Sequence, residues 1–283
     1  MTDTADRRLT HLSLAATRLG NAFARPKVLA VACVVTLTAL GWLYLGLLAA
    51  GMETGASQIF GALCRPLAGA SGSGQFALVL PMWGAMVFAM MLPSAGPMIF
   101  TYAEIADTAA RKGEPIVSPI TLASGYALVW LAFAFIAALM QIMLAHYAFL
   151  NGNLAPASTL LSATIFAAAG GYQFSALKHA CLAKCRHPFP FFFANWKTTA
   201  RGVFGLGLKQ GLYCLGCCWA MMLVMFAVGV MNVIWMAALG ALMTVEKMAT
   251  GPRFSRALGA VFIATGVFLV AVTLTGSLPQ SLK

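Results

Sequence analysis

Acidic side chains are almost missing from this sequence. Seven Asp and Glu occur in 283 residues, and charged residues of both signs make up only 9%. A soluble domain carries about 25% charged residues, so an ordinary soluble enzyme is excluded first. Mg(II), Ca(II) and Mn(II) are poor candidates too, because hard cations need oxygen ligands that this chain hardly supplies. Histidine is also scarce, with four in the chain. Haem ligation needs well-placed axial side chains. His146 falls near one end of an apolar run, and His179 and His187 fall in a basic connection. No GxxxxGK[ST] loop is present, which argues against ATP hydrolysis. There is no internal repeat and no low-complexity tract. Met1 to Lys27 is polar and mixed, with no apolar run before Val28, so no cleaved leader is expected.

What the chain has in excess is apolar sequence, at 61% of residues. Seven runs stand near the ~20 residues that a helix needs to cross hydrocarbon: about 28–50, 76–101, 120–147, 158–177, 203–230, 232–248 and 257–275. Runs of this length signal helices, not barrel strands. The expected fold class is all-α, a polytopic transmembrane helix bundle of about seven spans. Residues 1–27 form a basic N-terminal segment, 28–275 the bundle and 276–283 a short tail.

Charge then orients the spans. The net charge of +11 is carried by basic residues that sit beside apolar runs, where they set topology or touch anionic lipid. Nucleic acid is therefore not an expected partner, and the lipid bilayer is. Fifteen Lys and Arg fall on one predicted side, and only Arg65 and Lys283 on the other. This places the N-terminus inside and the C-terminus outside. Two connections stand out. Residues 51–75 contain the Gly/Ser stretch GASGSG (69–74) and read as flexible. HPFPFFFANW (187–196) carries five aromatics and two prolines. It reads as an irregular segment at headgroup level.

Three clusters carry candidate chemistry. In KHACLAKCRHP (178–188), Cys181 and Cys185 are four apart and share one helical face. Lys178, Lys184 and Arg186 surround them with positive charge, which favours a thiolate. In GLYCLGCCWAMM (211–222), Cys214 lies on one stripe with Cys217 and Cys218, and the stripe continues through Met221, Met222 and Met225. Cys and Met are the ligands that select Cu(I), with Zn(II) and iron–sulfur next. The alternative is a Met-rich core helix, because both residue types are good apolar fillers. In MWGAMVFAMMLPSAGPM (82–98), Pro93 cannot donate to the Ala89 carbonyl, nor Pro97 to that of Pro93. A broken helix carrying Met90, Met91 and Ser94 can wall a binding site, and a simple proline kink is the alternative. Two charges lie within apolar runs, Lys209 and Glu246. They read as functional groups, as a mutual salt bridge, or as Lys209 snorkelling to the surface.

The blocks WGAMVFAMMLPSAGPM, KHACLAKCRHP, GLYCLGCCWAMM and GVMNVIWMAALGALMTVEK resemble those of bacterial integral membrane proteins described as predicted metal-binding and of unknown function. The resemblance covers roughly residues 80–270, and its cysteine blocks are the most specific part. It implies a multi-pass protein of the bacterial inner membrane with a metal site. The matching positions are Met90, Met91, Pro93, Ser94, Lys178, Cys181, Cys185, Arg186, Cys214, Cys217, Cys218, Trp219, Met231, Asn232, Glu246 and Lys247. Cys33 and Cys64 lie outside the blocks.

The leading expectation is a Cu(I) protein that binds, moves or delivers the ion. Its metal ligands would be Cys181, Cys185, Cys214, Cys217 and Cys218, with Met90, Met91 and Met221 as softer neighbours. Zinc is the alternative metal, because four thiolates satisfy a tetrahedral site. A membrane metalloenzyme or a copper chaperone is the expected partner. Two other functions compete. Cys214-Leu-Gly-Cys217 is a C-x-x-C pair of the kind thiol oxidoreductases use, but it lies mid-run, away from any helix N-terminus that would activate it. A non-catalytic subunit or assembly factor would use AAAGG (167–171) and the aromatic connection as interfaces.

Overall fold

The computed structural model describes residues 26–54, 73–147, 158–230 and 232–275. Among them every regular element is a helix. In chain order these are α1 (Pro26–Thr54), α2 (Ser73–Arg111), α3 (Pro119–His146), α4 (Thr159–Tyr172), α5 (Ala176–Arg186), α6 (Pro188–Asn195), α7 (Ala200–Val228), α8 (Val233–Met248) and α9 (Arg253–Thr275). Cys64, Arg65, Met231 and the segments 1–25 and 276–283 lie outside the described residues. So does most of the 51–75 connection, which the ends of α1 and α2 shorten.

Local chemistry sets the helix starts. Ser118, Ser158, Ser175, Thr199 and Asn232 each cap the helix that follows by accepting a backbone N–H on the side-chain oxygen. The segment 187–196 departs from its reading as irregular: Pro188–Asn195 is a short helix. Pro188 and Pro190 lie in its first turn, where the backbone N–H groups have no helical partner to lose. Phe191 and Phe192 are buried, and Tyr102 of α2 meets Phe192 and stacks on Trp196.

Among the described residues five helices, α1, α2, α3, α7 and α9, are long and apolar enough to cross a membrane. The fourth and sixth predicted spans are less simple. The fourth is divided: α4 and α5 meet at an angle of 65°, with Ser175 capping the second piece. The sixth, α8, has only 16 residues, short of the ~20 of a perpendicular crossing.

The proline-rich stretch of α2 is continuous rather than broken, with Pro81, Pro93 and Pro97 inside one helix. The acceptor freed by Pro93 is used: Trp42 Nε1 of α1 donates to the Ala89 carbonyl at 3.1 Å. This bond ties α1 to α2. Helix α3 crosses α7 where both lack a side chain. A Cβ at Gly207 would strike the Leu122 carbonyl, and one at Gly125 the Phe204 carbonyl. Such small-residue crossings let helix backbones touch in apolar surroundings. Helix α4 packs on α9, while α5 lies against α7 and α8. Helix α7 is the central element, packed against α3, α4, α5 and α8.

Candidate metal centre

The stripe on α7 runs through Gly207, Gln210, Gly211, Cys214, Cys217, Cys218, Met221, Met222 and Met225, all buried. This is the three-four spacing of one helical face. Cys214, Cys217 and Cys218 bring their sulfurs within 4.8 Å of one another. Cys217 Sγ stands 3.3 Å from Cys218 Sγ and 4.0 Å from Cys185 Sγ of α5. The cysteines of two separate sequence blocks therefore meet, as a ligand set drawn from both requires. Cys181 is one turn earlier on α5 and faces α7 at Gly216, where an added Cβ would lie 2.6 Å from its Sγ. A side chain at 216 would therefore push the Cys181 sulfur aside.

Polar groups hold the cluster from the opposite side. Lys247, at the end of α8, donates from Nζ to Ser94 Oγ at 2.7 Å and to Cys214 Sγ at 3.0 Å. Tyr126 of α3 places its hydroxyl 3.0 Å from Cys214 Sγ and 3.1 Å from the Met91 carbonyl. Ser94 itself donates to the Met91 carbonyl at 2.9 Å. Cys214 thus sits between an ammonium and a phenol. A buried ammonium needs a compensating anion or strong acceptors, and Cys214 supplies the one sulfur in contact with it.

A second buried lysine braces the same region. Lys178 of α5 donates to Glu246 Oε2 and to the Cys217 carbonyl, both at 2.9 Å. Lys178 and Glu246 are fully buried. The partner of Glu246 is therefore Lys178, so of the alternatives open for these two charges the mutual salt bridge does not form: Lys209 is exposed, off the buried stripe of α7. Arg186 donates three hydrogen bonds to the carbonyls of Glu246 and Gly251. Together these bonds lock α5 to the end of α8.

A cavity of about 270 Å³ opens beside Cys214. Its wall includes Ser94, Tyr126, Cys185, Gln210 and Lys247 together with Met98 and Met248. Gln210 is buried, and its Nε2 has no hydrogen-bond partner. The predicted methionines are all buried but lie differently. Met90 lines a separate groove with Trp42 and Gly240. Met91 meets the cluster through its carbonyl, which accepts from Ser94 and Tyr126. Met221 lies one turn beyond Cys217 on the stripe. Sequence reasoning missed Tyr126, Gln210, Met98 and Met248. A tyrosine inside an apolar run was the available signal, because a buried hydroxyl demands a partner.

The donor set fits a soft metal. Metal–sulfur bonds of ~2.3 Å in a tetrahedral site put sulfurs ~3.8 Å apart. The cluster spacings of 3.3 Å and 4.0 Å bracket that value. Apart from the Tyr126 hydroxyl, no side-chain oxygen among the described residues touches these sulfurs, and thiolates with nearby thioethers are the set that favours Cu(I).

A family model described as PpoB2, copper chaperone, matches residues 80–269. That range contains every cysteine of the cluster, Lys178, Glu246 and Lys247. Comparison with curated proteins and with solved structures gave no match.

Proposed function

Because the chain belongs to the PpoB2 copper chaperone family, we propose that it holds Cu(I) as cargo and delivers it to a copper-dependent protein at a membrane. The observation that carries this reading is the sulfur cluster of buried Cys214, Cys217 and Cys218 with half-buried Cys185 beside it, and Lys247 against Cys214. A Cu(I) ion held by two thiolates carries one net negative charge. The Lys247 ammonium offsets that charge, so the loaded site is close to neutral. Such balance matters in an apolar bundle, where an isolated charge is costly. Cys181 is the reserve thiol, one turn away along α5.

The membrane setting is supported by the outer faces of the helices. Leu40, Leu43 and Leu47 on α1, Phe135 and Ile136 on α3, and Val267 and Phe268 on α9 are all exposed. Apolar surface on this scale suits lipid rather than water. In this reading α4 with α5 forms one bent crossing and the short α8 another. That gives seven spans in the bacterial inner membrane, with the N-terminus inside.

The test is the metal content of the purified protein after growth with copper and zinc supplied together. Wild type should retain copper, and Cys214→Ser and Cys217→Ser should lose it. Retention of zinc alone would replace Cu(I) with a structural zinc site. Absence of metal combined with thiols that cycle between reduced and oxidised forms would favour the oxidoreductase reading. Absence of metal with inert thiols would leave the assembly-factor reading.

A further inference from the structure

A second, larger cavity lies against the first. It encloses about 600 Å³ where α5 ends and α8 turns into α9. The two cavities share Arg186, Lys247 and Met248 as wall, so the second is the vestibule of the first. Its remaining polar lining includes His179, His187 and Arg256. Among the described residues no carboxylate lines it. The nearest acid, Glu246, is buried behind and committed to Lys178. Arg186 spends its donors on backbone carbonyls. Those carbonyls satisfy its N–H groups but leave its positive charge uncancelled. Arg256 is exposed at the rim.

This is the wrong electrostatics for admitting a bare cation. Copper, the cargo in the reading above, would meet Arg256, Arg186 and Lys247 before reaching any cysteine sulfur. The same vestibule attracts an anion. The geometry points to a negatively charged Cu(I)–bis(thiolate) complex as the form in which copper enters, with Arg186, Arg256 and Lys247 receiving it. The inference rests on the copper reading of the sulfur cluster and names the chemical class of its donor.

Ligand exchange then follows with no change of oxidation state. The Cys214 thiolate, which faces the first cavity, forms a Cu–S bond. One Cu–S bond to the donor breaks, and that thiolate departs with its charge. A second cysteine, Cys185 or Cys217, then replaces the remaining donor sulfur and passes its thiol proton to the leaving thiolate. The bound ion leaves the exchange as Cu(I) on two protein sulfurs. Charge and protons balance: one donor ligand departs as thiolate and the other as thiol. Met248, in the wall of both cavities, offers a thioether along the path.

The experiment compares two donors on the full-length, reduced, metal-free protein. One is the anionic Cu(I) complex of glutathione, and the other is the cationic Cu(I)–acetonitrile complex. Loading is followed by the ultraviolet Cu–thiolate absorption, at matched free Cu(I) and low salt. Arg256 is the residue to change, because it is exposed at the rim and outside the sulfur cluster. Arg256→Glu should slow loading from the anionic donor by ~10-fold, the lower end of steering effects. Raising the salt should slow the wild type toward the same rate. Arg256→Lys should restore the rate, and final copper occupancy should not change. Loading from the cationic donor should stay level or quicken in Arg256→Glu. Equal effects of Arg256→Glu on both donors, or none on either, would overturn the vestibule inference while leaving copper binding intact. Failure to load from either donor would overturn the copper reading itself, and this inference with it.

Discussion

Two buried lysines stand on either side of the sulfur cluster, and they are matched differently. Lys178 meets a carboxylate, Glu246 Oε2, at 2.9 Å. Lys247 meets a hydroxyl and a thiol, at 2.7 Å and 3.0 Å. The first pair is neutral in itself and joins α5 to α8. Its contribution is structural: removing either partner strands the other as an unpaired charge in an apolar interior. The second lysine has no carboxylate beside it among the described residues. Its charge is neutralised only if a sulfur takes on negative charge. On the copper reading proposed above, one lysine braces the site and the other takes part in its chemistry. Two lysines in separate blocks of sequence look alike until their partners are known.

The largest expected effect breaks the structural half of this comparison. Glu246→Gln leaves Lys178 buried without its anion, and losses of ~3–5 kcal/mol are typical of such changes. Thermal unfolding in detergent should show a much lower midpoint. The double variant Lys178→Met with Glu246→Leu should recover most of it, since apolar replacement of a buried pair is often neutral. A smaller effect on stability is expected at the other lysine. Lys247→Met loses hydrogen bonds to groups that can remain neutral, at a cost of about 1–3 kcal/mol. Its main effect should be on copper: affinity, measured by competition with a chromogenic Cu(I) chelator, should fall ~10–100-fold, the range for residues that support metal ligands. If Lys247→Met unfolds the protein while Glu246→Gln only weakens copper binding, the two roles are reversed.

The smallest effects separate the methionines. Met98→Leu and Met248→Leu alter the cavity beside Cys214 and should raise the rate of copper loss. Met90→Leu changes the groove under Trp42 and should leave that rate unchanged. All three are volume-conserving and should cost under ~1.5 kcal/mol in stability. Equal effects at Met90 and Met248 would mean that the methionines act through packing alone.

Much of this arrangement was legible in the sequence. Length and apolarity gave the helices, and the three-four spacing on α7 gave the cysteine stripe. The same spacing contained a warning about Lys209. It falls outside the stripe that holds Gln210, Cys214 and Cys218, and in the structure it points outward. The Lys178–Glu246 pair was not legible, because it joins residues 68 positions apart. Lys178 looked like a topology signal at a helix start, yet its long stem carries the ammonium into the bundle. The helix at Pro188–Asn195 was missed because its prolines fall in the first turn, where they are tolerated. Met90 was named and Met98 was not, because position along one helix does not reveal which neighbour each face meets. That neighbour is α8 at Gly240, not the sulfur cluster.

The claim at the centre of this account is that copper sits among the cysteines of α5 and α7 as Cu(I). X-ray absorption at the copper edge of the copper-loaded, full-length protein tests it most directly. The account predicts a Cu(I) edge and a first shell of sulfur alone, at distances near the ~2.3 Å of metal–thiolate bonds, which disappears in Cys214→Ser/Cys217→Ser. A first shell of nitrogen or oxygen, or the same sulfur shell retained in that double variant, would contradict it.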